Sequence, residues 1–188
     1  MAFYAANKPI RGEKTPAHIY HLPTLLDWFP NAKFVHMFRD PRAIFMSEKT
    51  KKAKAEFVNS RIRLLRQSNL IYEIYMSLSV ITHWLRVAQL HHQYQQLYPD
   101  NYYLLKFEDL ITDPQTHLRE LCDFLEIDFT KSMLHRKVVN SSFVSPGEIA
   151  GFDQSVADRW RQQLYPTADK LFTSLCNKYL VEFGYQSC

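Results

Sequence analysis

Residues 29–47 read Phe29-Pro30-Asn31-Ala32-Lys33-Phe34-Val35-His36-Met37-Phe38-Arg39-Asp40-Pro41-Arg42-Ala43-Ile44-Phe45-Met46-Ser47, and their punctuation decides the fold class. Phe29-Pro30-Asn31 is turn-like, residues 34–38 are a short apolar run, and Arg39-Asp40-Pro41 ends it, which spells a strand between two turns. The run does not alternate, so the strand is expected to be covered on both faces. Asp40 is suited to cap a following helix, with Pro41 in the first turn where a missing N–H costs nothing.

The same grammar recurs downstream. Pro99-Asp100-Asn101 breaks a long helix, residues 102–107 read as a second buried strand, and Glu108-Asp109 closes it. Asp113-Pro114 then opens a helix whose inner face carries Leu118, Leu121, Cys122 and Leu125, at steps of three and four. Between the strands, residues 49–66 are rich in Lys and Arg and read as a mostly solvated helical region. Residues 70–97 form a long amphipathic helix whose predicted inward face is Ile71, Ile74, Tyr75, Leu78, Ile81, Leu85 and Ala88, with Trp84 packing beside it. Residues 138–155 hold two of the four glycines and read as a long loop, and a last helix spans about 167–183.

Strand, helix, strand, helix implies an α/β fold with parallel strands joined by a crossover. Two strands are few, because stable sheets usually have about four to six. The expectation is a single, incomplete domain over residues 1–188, a partial P-loop-type sheet covered by helices.

Composition excludes several classes. With 188 residues, 46% hydrophobic and 14% aromatic, the chain is no disordered tail. A net charge of +4 suits a small polyanion and is too dispersed for nucleic acid. No apolar run approaches a membrane span of roughly 20 residues. Cys122, Cys176 and Cys188 are odd in number and widely spaced, and the eight histidines have no metal-ligand spacing.

Arg39 stands at a strand's carboxyl end, where open α/β sheets bind ligands, and its planar fork can grip a phosphate through two charge-assisted hydrogen bonds. Ser47 lies two helical turns beyond Asp40, so a phosphate along that helix face can meet both. The same residues also fit a strand-ending arginine paired with Asp40 and an ordinary helical serine.

At this point a family comes into view. Residues 29–47 resemble the 3′-phosphate-binding segment of sulfotransferases that use 3′-phosphoadenosine-5′-phosphosulfate (PAPS), in which an Arg and a Ser eight positions apart hold that phosphate, as Arg39 and Ser47 are spaced. Residues 106–129, KFEDLITDPQTHLRELCDFLEIDF, resemble the family's strand, acidic turn and helix, where the aromatic residue before Glu-Asp approaches the adenine. Here it is Phe107, without the usual tyrosine hydroxyl. Residues 140–161 are similar to the loop and Trp-containing helix start that closes over the nucleotide in bacterial and tyrosylprotein-type members, which implies roles for Ser142 and Arg159. Lys51, one turn past Ser47, matches a basic residue of the tyrosylprotein enzymes, or is a solvated lysine. Lys14, in Glu13-Lys14-Thr15-Pro16, resembles a Lys-x-Pro whose lysine approaches the transferring sulfuryl group, or is simply exposed.

The resemblance implies PAPS as co-substrate with no metal, a hydroxyl or amine acceptor, and cytoplasmic location as in bacterial members, or the Golgi lumen if an N-terminal anchor has been lost. It also implies a Gly/Ser/Lys loop for the sulfated end, and none precedes Arg39, where Gly12 is the sole glycine. The expectation is therefore a truncated protein, or one completed by an oligomer partner or a separate N-terminal segment, inactive by itself. The alternative is a non-catalytic module that binds 3′-phosphonucleotides such as adenosine 3′,5′-bisphosphate. A phosphate kinase falls behind for want of a Gly-x-x-x-x-Gly-Lys loop.

Overall fold

A computed structural model describes residues 10–54, 65–135 and 151–185. Packing divides the chain into two units, Met1–Ala32 and Lys33–Cys188. In the first, a 3-10 turn at Pro16–Tyr20 leads into α1, Leu22–Trp28, whose Leu22 and Leu26 are buried one turn apart.

The second unit opens with β1, Phe34–Phe38, followed by α2, Pro41–Lys54, and then α3, Asn69–Leu97. Next come β2, Tyr102–Lys106, the short α4, Phe107–Thr112, and α5, Pro114–Leu125. After a 3-10 turn at Lys131–His135, the one-turn α6, Ser155–Asp158, runs into a second 3-10 turn, Arg159–Gln162, and α7, Pro166–Glu182, follows. β1 and β2 pair in parallel from Phe34–Tyr102 to Phe38–Lys106, the α/β arrangement the sequence predicts. The predicted caps form as well. Asp40 Oδ1 accepts from the Arg42 amide at 2.8 Å, and Asp113 Oδ1 from Thr116 at 3.2 Å.

Aromatic packing organises the core on one sheet face. Phe38 lies 5.2 Å from Trp84 of α3 and 4.5 Å from Phe183, while Phe45 of α2 meets Phe172 of α7 at 5.7 Å. α7 ends in a Schellman turn, with Gly184 at φ +73° and Tyr185 donating its amide to the Leu180 carbonyl at 2.7 Å. That reversal returns Tyr185 to the carboxyl ends of the strands.

Three expectations need correction. β1 is not covered on both faces: Val35 and Met37 are 38% and 49% exposed, because α5 covers β2, where Phe124 stacks on Tyr103 at 5.2 Å, and leaves this stretch of β1 open. The predicted inward face of α3 is largely outward, with Ile71, Ile74, Tyr75 and Leu78 exposed. Ile81 and Ala88 of that face are buried as expected, in a stripe with Glu73, Met76, Ser77, Trp84, Val87, Leu90, His91 and Tyr94. Polar partners choose that side, since Glu73 must meet Lys49, Trp84 the Arg39 carbonyl and His91 the Tyr102 hydroxyl. Lys49, read as part of a solvated region, bonds Glu73 at 2.9 Å and lies over the Tyr165 ring. Residues 55–64 of that region lie outside the described residues. No helix among the described residues is long and apolar enough to cross a membrane.

Candidate functional site

One step beyond the last ladder pair, the parallel register sets Arg39 opposite Phe107, and the two side chains meet there. The Arg39 guanidinium lies 4.1 Å from the centre of the Phe107 ring, a cation–π contact that needs no hydrogen bond. Its Nη2 donates to the Val156 carbonyl of α6 at 3.2 Å, and its Nε is buried without a hydrogen-bond partner among the described residues. Burial pulls its pKa down, opposed by the charges of Glu108 and Asp40 and by Tyr185. An arginine stays protonated through such a shift, so a half-buried cation with an open donor stands at the carboxyl end of the sheet.

The backbone under Arg39 is held on both sides. The Trp84 indole N–H donates to the Arg39 carbonyl at 2.9 Å, and the Asp40 amide donates to Glu108 Oε1 at 3.0 Å. Glu108 Oε2 in turn accepts from the Tyr185 hydroxyl at 3.1 Å. Burial raises the Glu108 pKa, opposed by the amide and hydroxyl that it accepts from. Burial, with the neighbouring Glu108 charge, also raises that of Tyr185.

Asp40 faces the other way, into a buried ion pair. Arg42, fully buried, donates from Nη2 to Asp40 Oδ2 at 2.8 Å and from Nε to Oδ1 at 3.1 Å, and lies over the Trp160 ring at 4.6 Å. Two oxygens facing two nitrogens satisfy the pair without water, which lets a charged residue sit in the core.

Of the residues singled out from sequence, Arg39 and Phe107 are brought together. Ser47 is half-buried in α2, two turns past Asp40. Lys51 is exposed and bonds Glu48 at 3.4 Å. Arg159 follows Val156 by three residues and bonds Asp153 at 3.1 Å and the Ser155 hydroxyl at 2.8 Å, so it braces the segment that receives Arg39. Arg161 bonds Asp158 and lies over Trp160, whose burial agrees with a core role. Lys14 belongs to the first unit, exposed before the Pro16–Tyr20 turn. Ser142 lies outside the described residues.

Sequence reasoning missed Glu108, Tyr185, Arg42 and Val156. Glu108 was visible as an acidic turn residue, but only the register brings it under Asp40, and Tyr185 reaches it only through the Gly184 turn. A cavity of about 280 Å³ opens beside them, lined by Asp40, Lys106, Glu108, Asp158, Arg161 and Tyr185 among others. Its walls are rich in carboxylates and do not include Arg39, so the cavity is not where an anion would be drawn. Among the described residues no group of His, Cys, Asp or Glu is placed to hold a metal ion.

The sequence model of the sulfotransferase family matches residues 1–131, well over half of the chain. The chain belongs to the sulfotransferase family. It is 33% identical over 115 residues to omega-hydroxy-beta-dihydromenaquinone-9 sulfotransferase Stf3 of Mycobacterium tuberculosis, covering 60% of this chain and 27% of that protein. It is 30% identical over 181 residues to mouse (Mus musculus) carbohydrate sulfotransferase 5, covering 88% of this chain and 44% of that one. The chain thus spans less than half the length of these relatives. Among solved structures, the sulfotransferase domain of the Synechococcus PCC 7002 olefin synthase aligns with a TM-score of 0.55 at 21% identity, covering 87% of this chain and 57% of that domain. The sulfotransferase domain from the curacin biosynthetic pathway aligns at 0.50 and 21%, with 61% of that domain covered. These two likenesses bear on the fold, which is sulfotransferase-like.

Proposed function

We propose that this chain supplies the nucleotide-binding half of a sulfotransferase that takes its sulfuryl group from PAPS. The observation that carries the reading is Arg39, a half-buried arginine resting on Phe107 with its buried Nε open, at the strand ends where α2 begins. A polyanion is the natural partner for such a group, since a bidentate phosphate completes the fork and the positive end of α2 adds to the field.

In this reading Arg39 grips the 3′-phosphate and the Ser47 hydroxyl donates to it from the same helix face. The adenine edge lies by Phe107, while Lys51, Ser142 and Arg159 add charge and hydrogen bonds around the phosphates. Lys14 stabilises the negative charge that builds on the bridging oxygen as the S–O bond to the nucleotide breaks. The acceptor is a hydroxyl, which loses its proton to a base as its oxygen bonds to sulfur, and adenosine 3′,5′-bisphosphate departs. An amine would react in the same way. The names of the two relatives support a hydroxyl, one an omega-hydroxy menaquinone derivative and the other a carbohydrate. We assign the chain to the cytoplasm on the analogy of its bacterial relative.

Gly12 is the sole glycine before Arg39, too few for a loop rich in Gly, Ser and Lys at the sulfated end, so the chain alone is expected to bind and not to turn over. A non-catalytic nucleotide-binding module is the second reading, favoured by the same shortage. Calorimetry with adenosine 3′,5′-bisphosphate tests both. Binding by the wild type that is lost in Arg39→Ala supports the site, and no heat with either removes it. Turnover of PAPS with a phenolic or sugar acceptor by the purified chain would overturn the expectation of inactivity.

A further inference from the structure

We propose that Glu108 is a positioning residue that aims Arg39 at its anion by clamping the Arg39–Asp40 peptide, an inference that rests on the nucleotide site proposed above. The argument begins with that one peptide unit. Its oxygen accepts from the Trp84 indole at 2.9 Å and its N–H donates to Glu108 Oε1 at 3.0 Å, so side chains from α3 and α4 hold it at opposite ends. Fixing both ends sets ψ of Arg39 and φ of Asp40, and with them the direction in which the arginine side chain leaves the strand.

Glu108 also follows Phe107, whose ring supports the guanidinium at 4.1 Å. The same residue therefore sets the platform as well as the peptide above it. Its second oxygen is held by the Tyr185 hydroxyl at 3.1 Å, delivered by the Gly184 turn, so the clamp is anchored from the end of α7. The tie lies under an arginine whose Nε has no hydrogen-bond partner among the described residues, which a purely structural tie would not need to do.

The choice of a carboxylate has a cost that makes the role testable. A negative charge this near Arg39 repels a phosphate, so the clamp's geometry favours the anion while its charge opposes it. Glutamine separates the two effects. In Glu108→Gln the amide oxygen still accepts from the Asp40 amide and the charge is gone, whereas Glu108→Ala loses both.

The experiment measures affinity for adenosine 3′,5′-bisphosphate by calorimetry and exchange of the Asp40 amide by NMR in the ligand-free chain. Expected are binding about tenfold weaker in Glu108→Ala, and binding equal to or about twofold tighter than wild type in Glu108→Gln. The Asp40 amide is protected in wild type and Glu108→Gln and exchanges about tenfold faster in Glu108→Ala. Tyr185→Phe, which frees only the far oxygen, weakens binding about twofold. Equal weakening in the Gln and Ala variants, or an unchanged Asp40 amide in Glu108→Ala, overturns the proposal. Should wild type fail to bind, the nucleotide reading falls, and Asp40 exchange still decides whether the clamp exists.

Discussion

Two regions of the small sheet handle buried polarity in opposite ways. Behind the strands the Tyr102 hydroxyl sits between His36 Nδ1 at 2.5 Å and His91 Nδ1 at 3.1 Å, while His92, beside His91, bonds Glu182 at 3.0 Å. A tyrosine hydroxyl has one proton to give and lone pairs to receive one, so this set closes on itself with both imidazoles neutral. At the strand ends Arg39 finds an aromatic face and one carbonyl and keeps a buried Nε unpartnered. Buried polar groups in folded proteins are nearly always satisfied, so the closed set reads as architecture, and the open Nε is what the nucleotide site proposed above would fill.

The largest effect should come from breaking the closed kind of arrangement. Asp40→Ala leaves Arg42 in the core with the longer 3.7 Å contact to Asp169 in place of its two-pronged pair, and should cost about 3 kcal/mol in a denaturant melt. A loss below about 1 kcal/mol would show that the pair holds little together. Next comes acid. Burial lowers the His36 pKa to about 3 and that of His91 to about 4, with a neighbouring imidazole adding to each shift. The unfolded chain takes up these protons below about pH 6.5 and the folded chain does not until about pH 4 and then 3. Stability should therefore fall as pH drops from 6.5 to 4, by up to about 3 kcal/mol for each imidazole over that window, less where solvent screens the charge. A flat unfolding free energy between those pH values would break the comparison on its closed side.

Arg39→Met inverts the pattern. It removes a half-buried charge with an open donor and leaves an apolar chain of similar reach on Phe107, so the melting temperature should hold or rise. Affinity for adenosine 3′,5′-bisphosphate should drop by about 2–3 kcal/mol, the worth of a charge-assisted pair. A variant that loses stability and keeps its affinity would make Arg39 one more structural arginine.

How much of this could be read beforehand follows from which interactions are local. Both strands, their parallel sense, the Asp40 and Asp113 caps and the position of Arg39 are written in turns and runs of a few residues, and they were legible. The inward face of α3 was not, because its first half carries large apolar residues on several sides, and partners 24 residues away or more, such as Lys49 for Glu73, chose among them. The open face of β1 was hidden for a related reason: an unalternating run describes the strand and says nothing of what covers it. Glu108 had the opposite problem. Its letter was plain, but its role needs the β1–β2 register, and Tyr185 joins it over a separation of 77 positions. The tie that supports the proposed site is therefore far from local, exceeded in span by the 117 positions between Arg39 and Val156.

The smallest effect is also the one that bears most directly on the spacing of Arg39 and Ser47. Ser47 is half-buried two turns into α2, and a single neutral hydroxyl contributes about 1 kcal/mol, so Ser47→Ala should weaken adenosine 3′,5′-bisphosphate about fivefold. The size of that change matters less than its dependence on Arg39. If both side chains touch one phosphate, the phosphate is freer to shift once the guanidinium is gone, and the serine's contribution shrinks in the Arg39→Met background. Groups that act on separate parts of the ligand would give additive losses, within about 0.5 kcal/mol. A double-mutant cycle on binding thus reads convergence itself. Strict additivity would leave Arg39 with an anion and Ser47 outside the site.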